Sequence, residues 1–148
     1  MTAADLRREV DGELALLAAA SRSVAGDATY RSAVEVALLL PPPATLGERS
    51  AWMSRCVVTW ALLDHLPAHD RHDAVPDPVA TAAVAALVDD VIVRLRELVR
   101  ARLAETRSIV CAGLFERAPW DESDESRDPA LDSLVVMIAM TDRHLLVD

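Results

Sequence analysis

Between residues 60 and 73 the chain reads WALLDHLPAHDRHD, where Asp64, His65, His69, Asp70, His72 and Asp73 crowd carboxylates and imidazoles together. Such groups are natural ligands of a divalent cation, and two histidines one helical turn apart can aim both rings at one ion. Asp64, His69, Asp70 and His72 are therefore the candidate metal ligands. Pro67 falls between His65 and His69, so those two rings are not expected to share a helical face. The competing expectation is a polar helix exit that runs into a solvated loop.

A second group of chemistry-bearing residues lies further on. Asp89 and Asp90 adjoin, and Arg94, Arg96, Arg100, Arg102 and Arg107 make a dense basic segment. Arginine suits bidentate capture of phosphate. Trp52, Trp60, Asp89, Asp90 and Arg94 are the candidate ligand-binding residues. Glu97 and Glu105 interleave with the arginines, and the segment lacks the aromatic groups on which bases stack. A solvated or interface helix is expected there, and Asp90 and Arg94 are spaced for an exposed i, i+4 ion pair.

Composition excludes other chemistries. All 15 basic residues are arginine, so no lysine can form a Schiff base. The 4 glycines build no phosphate-cradling loop, and no serine sits in a nucleophile elbow. The 24 acids leave a net charge of −9, a surface that repels nucleic acid. Cys56 and Cys111 are far apart with no C-x-x-C spacing, as expected of two free thiols in a reducing compartment. The start, MTAADLRREVDGELALL, carries charge in every turn and does not read as a signal peptide. The longest apolar runs fall short of a membrane span. The expectation is a cytoplasmic protein that engages neither membrane nor nucleic acid.

These side chains must be positioned by helices. Hydrophobic residues make up 52% of the chain and aromatic ones only 3%, so the core is built from Ala, Leu and Val, of which Ala and Leu are strong helix formers. Asn is absent, which removes the Asn-Gly hairpin signal. The 148 residues suffice for a single domain spanning the chain, 1–148. The predicted fold class is all-α, a bundle of about five helices with one long central helix.

The apolar spacing of Leu6, Val10, Leu14 and Leu17 predicts a helix over 3–20, ended near Gly26. A second is predicted over 28–40, carrying Val34 and Leu38 and stopped by Pro41-Pro42-Pro43. Thr45 and Glu48 fit a capping box, so a third should start there and run to about Leu66. Along it Trp52, Cys56, Trp60 and Asp64 recur every four residues, a stripe expected to be core, with the acid surfacing at its end.

Asp77-Pro78 signals the next start, and nothing breaks the pattern before Gly113. Val79, Ala83, Leu87, Val91, Leu95, Leu98, Leu103, Ile109 and Val110 are expected on its apolar side. At 1.5 Å per residue an unbroken helix here would span about 54 Å, against about 40 Å for a globule of this length. It must kink, or protrude and pair with another chain. After the acidic stretch 121–128, Asp128-Pro129 starts the last helix, with Leu131, Leu134, Val135, Ile138 and Leu145 buried.

The run ERSAWMSRCVVTWALLDHLPAHD, an amphipathic helix with aromatics and Asp64 near its end, resembles the helix that carries the aspartate-rich motif of class I terpene synthases. The resemblance covers residues 34 to 120. It implies a helical fold in which Asp64 and Asp70, with Asp89 and Asp90, hold Mg²⁺ against a diphosphate. The chain departs from the pattern in having Ala68 four residues beyond Asp64. It also lacks the family's second metal motif, an Asn or Asp followed at four-residue steps by Ser and Glu. Asp89-Asp90-Val-Ile-Val likewise lacks the third acid of the related DDxxD form. The resemblance thus implies a reduced, noncatalytic relative.

Two functions are carried forward. The first is a noncatalytic helical protein, an accessory subunit or apolar-ligand carrier without cofactor, that self-associates or binds a helical partner through the apolar side of the 78–113 helix. The alternative is a Mg²⁺-dependent enzyme of isoprenoid diphosphate chemistry.

Overall fold

A computed structural model describes residues 2–26, 30–37, 40, 48–65, 77–114 and 129–141. Among them are six helices and no strand, an all-α bundle: α1 (Ala3–Ala25), α2 (Tyr30–Ala37), α3 (Glu48–Asp64), α4 (Pro78–Ala101), α5 (Leu103–Leu114) and α6 (Pro129–Thr141).

The helix starts and stops follow local chemistry. Thr2 and Asp5 cap α1 reciprocally: the Thr2 amide donates to Asp5 Oδ2 at 2.7 Å and the Asp5 amide to Thr2 Oγ1 at 3.4 Å. Gly26 closes α1 with φ +81°, a conformation that strains any side-chain-bearing residue, and its amide donates to Arg22 O. Asp77 caps α4 by accepting the Val79 amide at 3.0 Å, with Pro78 at the first helical position. Thr45 lies outside the described residues.

The core is aliphatic. Leu6, Val10, Leu14 and Leu17 of α1 are buried as their spacing predicts, against Val84, Val88, Val91, Ile92, Leu95 and Val99 of α4 and Val34 of α2. Ile109 and Val110 of α5 and Leu131, Leu134, Val135 and Ile138 of α6 complete it. Helix α4 packs against every other helix. Helices α1 and α4 run antiparallel, because Arg94 reaches Glu13 while Arg102, two turns later, reaches Glu9, one turn earlier.

Helix α4 is the long central helix, and of the two courses expected for residues 78–113 the chain takes the kink. The rod is broken at Arg102, with φ −114° and ψ 52°, which gives six helices where about five were expected. No glycine or proline marks the break. A side-chain bond bridges the corner: Thr106 Oγ1 donates to the Val99 carbonyl at 3.0 Å. In a straight helix residues seven apart stand about 10 Å apart along the axis, so this bond exists only if the chain turns. Thr106 is buried and Arg102 is held by Glu9, which fixes the corner from both sides.

The apolar side of this segment is accordingly inside the molecule. Val91, Leu95, Ile109 and Val110 are buried, and Leu87, Leu98 and Leu103 are half-buried against the core. Val79, expected on that side, is exposed instead, since the buried stripe over the first turns of α4 runs through Thr81, Val84 and Ala85.

Candidate functional site

Among the described residues, those singled out for chemistry do not converge. Asp64 ends α3 and is exposed, whereas His69, Asp70 and His72 lie outside the described residues. Asp89 is held by Arg55 of α3: Nε donates to Oδ1 at 3.2 Å, and Nη2 donates to Oδ1 at 3.1 Å and to Oδ2 at 2.8 Å. Both carboxylate oxygens thus face a guanidinium, where a Mg²⁺ ion would meet a like charge at contact distance. Asp64 stands nine residues beyond Arg55, about 13 Å along the helix. Asp90 is exposed on α4. Among the described residues no group of three His, Cys, Asp or Glu side chains could hold a metal.

Arg94 is exposed and donates through Nε to Glu13 Oε2 of α1 at 2.9 Å. The pairing with Asp90 expected from the i, i+4 spacing is therefore replaced by one between helices. Helix packing brings Glu13 to Arg94, a partner that one helix's spacing cannot reveal.

Three of the arginines serve seams of the bundle: Arg94 with Glu13, Arg102 with Glu9, and Arg96, whose Nη2 donates to Ser54 Oγ of α3 at 3.2 Å. Arg100 and Arg107 are exposed. Arg7, which the sequence did not single out, is buried with Asp132: Nε donates to Oδ1 at 2.6 Å and Nη2 to Oδ2 at 3.1 Å, tying the start of α1 to the start of α6. Such buried pairs fix register, since removing one partner strands the other charge. Asp132 sits in the first turn of α6, where a carboxylate also complements the helix dipole.

Around Arg55 the inward face of α3 is polar. Ser54, Arg55 and Thr59 are buried beside Val58 and Leu62. Arg55 Nη1 also donates to the Leu40 carbonyl at 2.8 Å, and Ser54 Oγ lies 3.4 Å from Thr141 Oγ1 of α6, which itself donates to the Ile138 carbonyl. Thr59 Oγ1 is buried with no partner among the described residues.

The outward face of α3 is the reverse. Trp60 is 66% exposed and Met53 41%, with Cys56 and Val57 half-buried between them and Asp64 one turn beyond Trp60. The stripe Trp52, Cys56, Trp60, Asp64, expected to be core, is therefore turned outward from Cys56 onward; the side chain of Trp52 lies outside the described residues. The reason is Arg55. Its guanidinium must reach both Asp89 and the Leu40 carbonyl, and that fixes the rotation of α3 with residues 55, 58, 59 and 62 inward. Trp60, immediately after Thr59, is left on the surface.

Matched against family models, curated proteins and solved structures, the chain finds no counterpart. The site must be read from its own geometry.

Burial pushes the Cys56 thiol up, partly offset by the charge of the neighbouring Arg55. A second apolar feature competes with the α3 stripe: an open groove of about 570 Å³ between α1 and α4, lined by Gly12, Ala15, Leu16 and Leu98. Its rim is already paired, through Glu13 to Arg94 and Glu9 to Arg102, and it offers one exposed large side chain, Leu16. The α3 stripe presents a tryptophan and a methionine two turns apart with no ion pair between them.

Proposed function

We propose that this chain is a noncatalytic helical protein that works by binding, as an accessory subunit would, and that the outward stripe of α3 is its binding surface with Trp60 as the anchor. The observation that carries this is the inversion of α3, which buries Ser54, Arg55 and Thr59 and exposes Met53 and Trp60. Isolated exposed aliphatic residues are ordinary, but a large aromatic and a thioether on one helical face are what interface centres are made of. Their spacing, with Val57 between, suits a helix laid along α3, the i, i+4, i+7 mode of recognition.

The surface expected from the sequence, the apolar side of residues 78–113, does not serve this role, since it lies within the bundle. The isoprenoid alternative draws no support from the carboxylates, because Asp89 is committed to Arg55 and stands far from Asp64. A carrier of small apolar ligands uses an enclosed cavity, and the volume between α1 and α4, among the described residues, is an open groove that does not support that reading.

Replacing Trp60 by the photo-cross-linker benzoylphenylalanine tests the reading in cells. A covalent adduct of one defined mass is expected at position 60, absent from a control probe at the equally exposed Val79 and abolished by adding Met53→Asp. The same yield at both positions, or none at 60, refutes it.

A further inference from the structure

We infer that the corner at Arg102 is a hinge, and that the chain exchanges α5 and α6 with a second copy to form a two-fold dimer in which residues 78–114 run as one straight helix. This is independent of what α3 binds.

Nothing local makes the corner. From Val79 to Ala112 the chain holds neither glycine nor proline. Ala101, Arg102, Leu103, Ala104 and Glu105 are all good helix formers. The residue that precedes α5 is an arginine, where a helix that starts by its own chemistry carries Ser, Thr, Asp or Asn. By its local preferences the segment continues as helix.

The backbone ladder points the same way. Across the corner it keeps the bond from the Arg102 amide to the Leu98 carbonyl, at 3.1 Å, and that from the Thr106 amide to the Arg102 carbonyl, at 2.9 Å. The steps on either side of Arg102 are open: the Leu103 amide does not bond the Val99 carbonyl, nor the Glu105 amide the Ala101 carbonyl, which is why Arg102 falls outside both helices. The Val99 carbonyl takes the Thr106 hydroxyl instead. Straightening closes both backbone steps and gives up that one side-chain bond.

What holds the corner is tertiary, and a second copy can supply it. Helices α5 and α6 pack on each other and together lie against α1, α3 and α4. The contacts of this pair with the rest of the bundle, the buried Arg7 and Asp132 among them, join residues before the corner to residues after it. An exchanged dimer remakes them unchanged, because the surface that α5 and α6 leave is shaped for α5 and α6. That complementarity names the occupant. Only the corner differs between the two forms, so the balance between them turns on its bonds and on protein concentration.

Refolding from urea at high protein concentration, followed by size-exclusion chromatography with light scattering, tests the hinge. The wild-type chain is expected to give a dimer. Thr106→Val deletes the hydroxyl that bridges the corner in each copy, and should raise the dimerisation constant by about tenfold, the effect of two weak hydrogen bonds. Ala104→Pro should abolish the dimer and leave a helical monomer by circular dichroism. Position 104 is exposed in the first turn of α5, where proline is tolerated, whereas in a straight helix the ring would meet the Arg100 carbonyl.

Mixing identifies the exchange itself. Arg7→Ala and Asp132→Ala each remove one side of a buried ion pair. In an exchanged heterodimer the Arg7 of one copy meets the Asp132 of the other. The two variants refolded together should therefore give heterodimer in excess over either homodimer by native mass spectrometry, and it should unfold at higher urea than either variant alone. A chain that stays monomeric after refolding at the highest attainable concentration overturns the inference. So does a dimer that Ala104→Pro leaves intact, or one in which the two variants mix at random, since another surface would then hold it. If Ala104→Pro fails to fold, the mixing result decides alone.

Discussion

Helices α3 and α4 are built on opposite plans. Helix α4 turns Val84, Val88, Val91, Leu95 and Val99 into the core and shows Asp90 and Arg94 to solvent. Helix α3 turns Ser54, Arg55 and Thr59 inward and shows Met53 and Trp60. In α4 the apolar stripe decides the rotation, since burying a continuous run of aliphatic side chains outweighs any single polar contact. In α3 the aliphatic anchors on the inward face are Val58 and Leu62, and beside them the buried Arg55, held by Asp89 and the Leu40 carbonyl, favours the same rotation. The comparison shows how an exposed apolar stripe arises: a helix that turns polar groups inward beside Val58 and Leu62 leaves Met53 and Trp60 on the surface.

The largest effect that would break this contrast is at the pin itself. Arg55→Ala should destabilise the fold by about 3 kcal/mol, the low end of the range for a stranded buried charge, because Asp89 keeps some access to water. Arg55→Met with Asp89→Leu should recover most of that loss in urea denaturation while leaving α3 free to rotate. Quenching of Trp60 by acrylamide in that double variant, with Trp52 and Trp120 replaced by phenylalanine, is expected to fall. If the double variant unfolds as readily as the single one, the pair is not what sets the rotation.

Next in size is a paired truncation. Leu95→Ala on the core face of α4 should cost about 2–5 kcal/mol by opening a cavity. Trp60→Ala, although it removes a far larger side chain, should change the stability of the isolated chain by no more than about 0.5 kcal/mol, because the indole is mostly in water already. Comparable losses at the two sites in thermal denaturation would mean that Trp60 belongs to the core.

The smallest effect sharpens the picture of the polar face. Thr59→Val replaces a buried hydroxyl that finds no partner among the described residues with a methyl of the same shape. It should stabilise the fold by about 1 kcal/mol. A loss of stability would show that the hydroxyl has a partner after all.

Much of the architecture could be read from single helices taken one at a time. The buried face of α1, residues 6, 10, 14 and 17, and that of α6, residues 131, 134, 135 and 138, followed from apolar periodicity. The start of α4 at Pro78 and the end of α1 at Gly26 followed from capping chemistry. Each of these rests on interactions within about one or two turns of chain, which sequence displays directly.

What failed to show in the sequence depends on partners distant along the chain. The corner at Arg102 is bridged by the Thr106 hydroxyl, which reaches Val99 only when the chain has turned, and no glycine or proline announces it. Arg94 meets Glu13, 81 residues away, instead of Asp90. Arg55 meets Asp89, 34 residues away, and thereby sends Trp60 outward. An arginine amid an apolar run was the one available signal, and it was masked by the tryptophans around it.

By itself, then, the sequence determined that the chain would be helical, where α1 ends, where α4 and α6 begin, and which faces of α1 and α6 are apolar, because periodicity and capping are local properties. Only the tertiary structure decided how α3 is turned, where the long helix bends, and which carboxylates are already taken by arginine. These are choices among near-equal local alternatives, and the energy that separates them arises when distant side chains meet in a dry interior where an unpaired charge is costly.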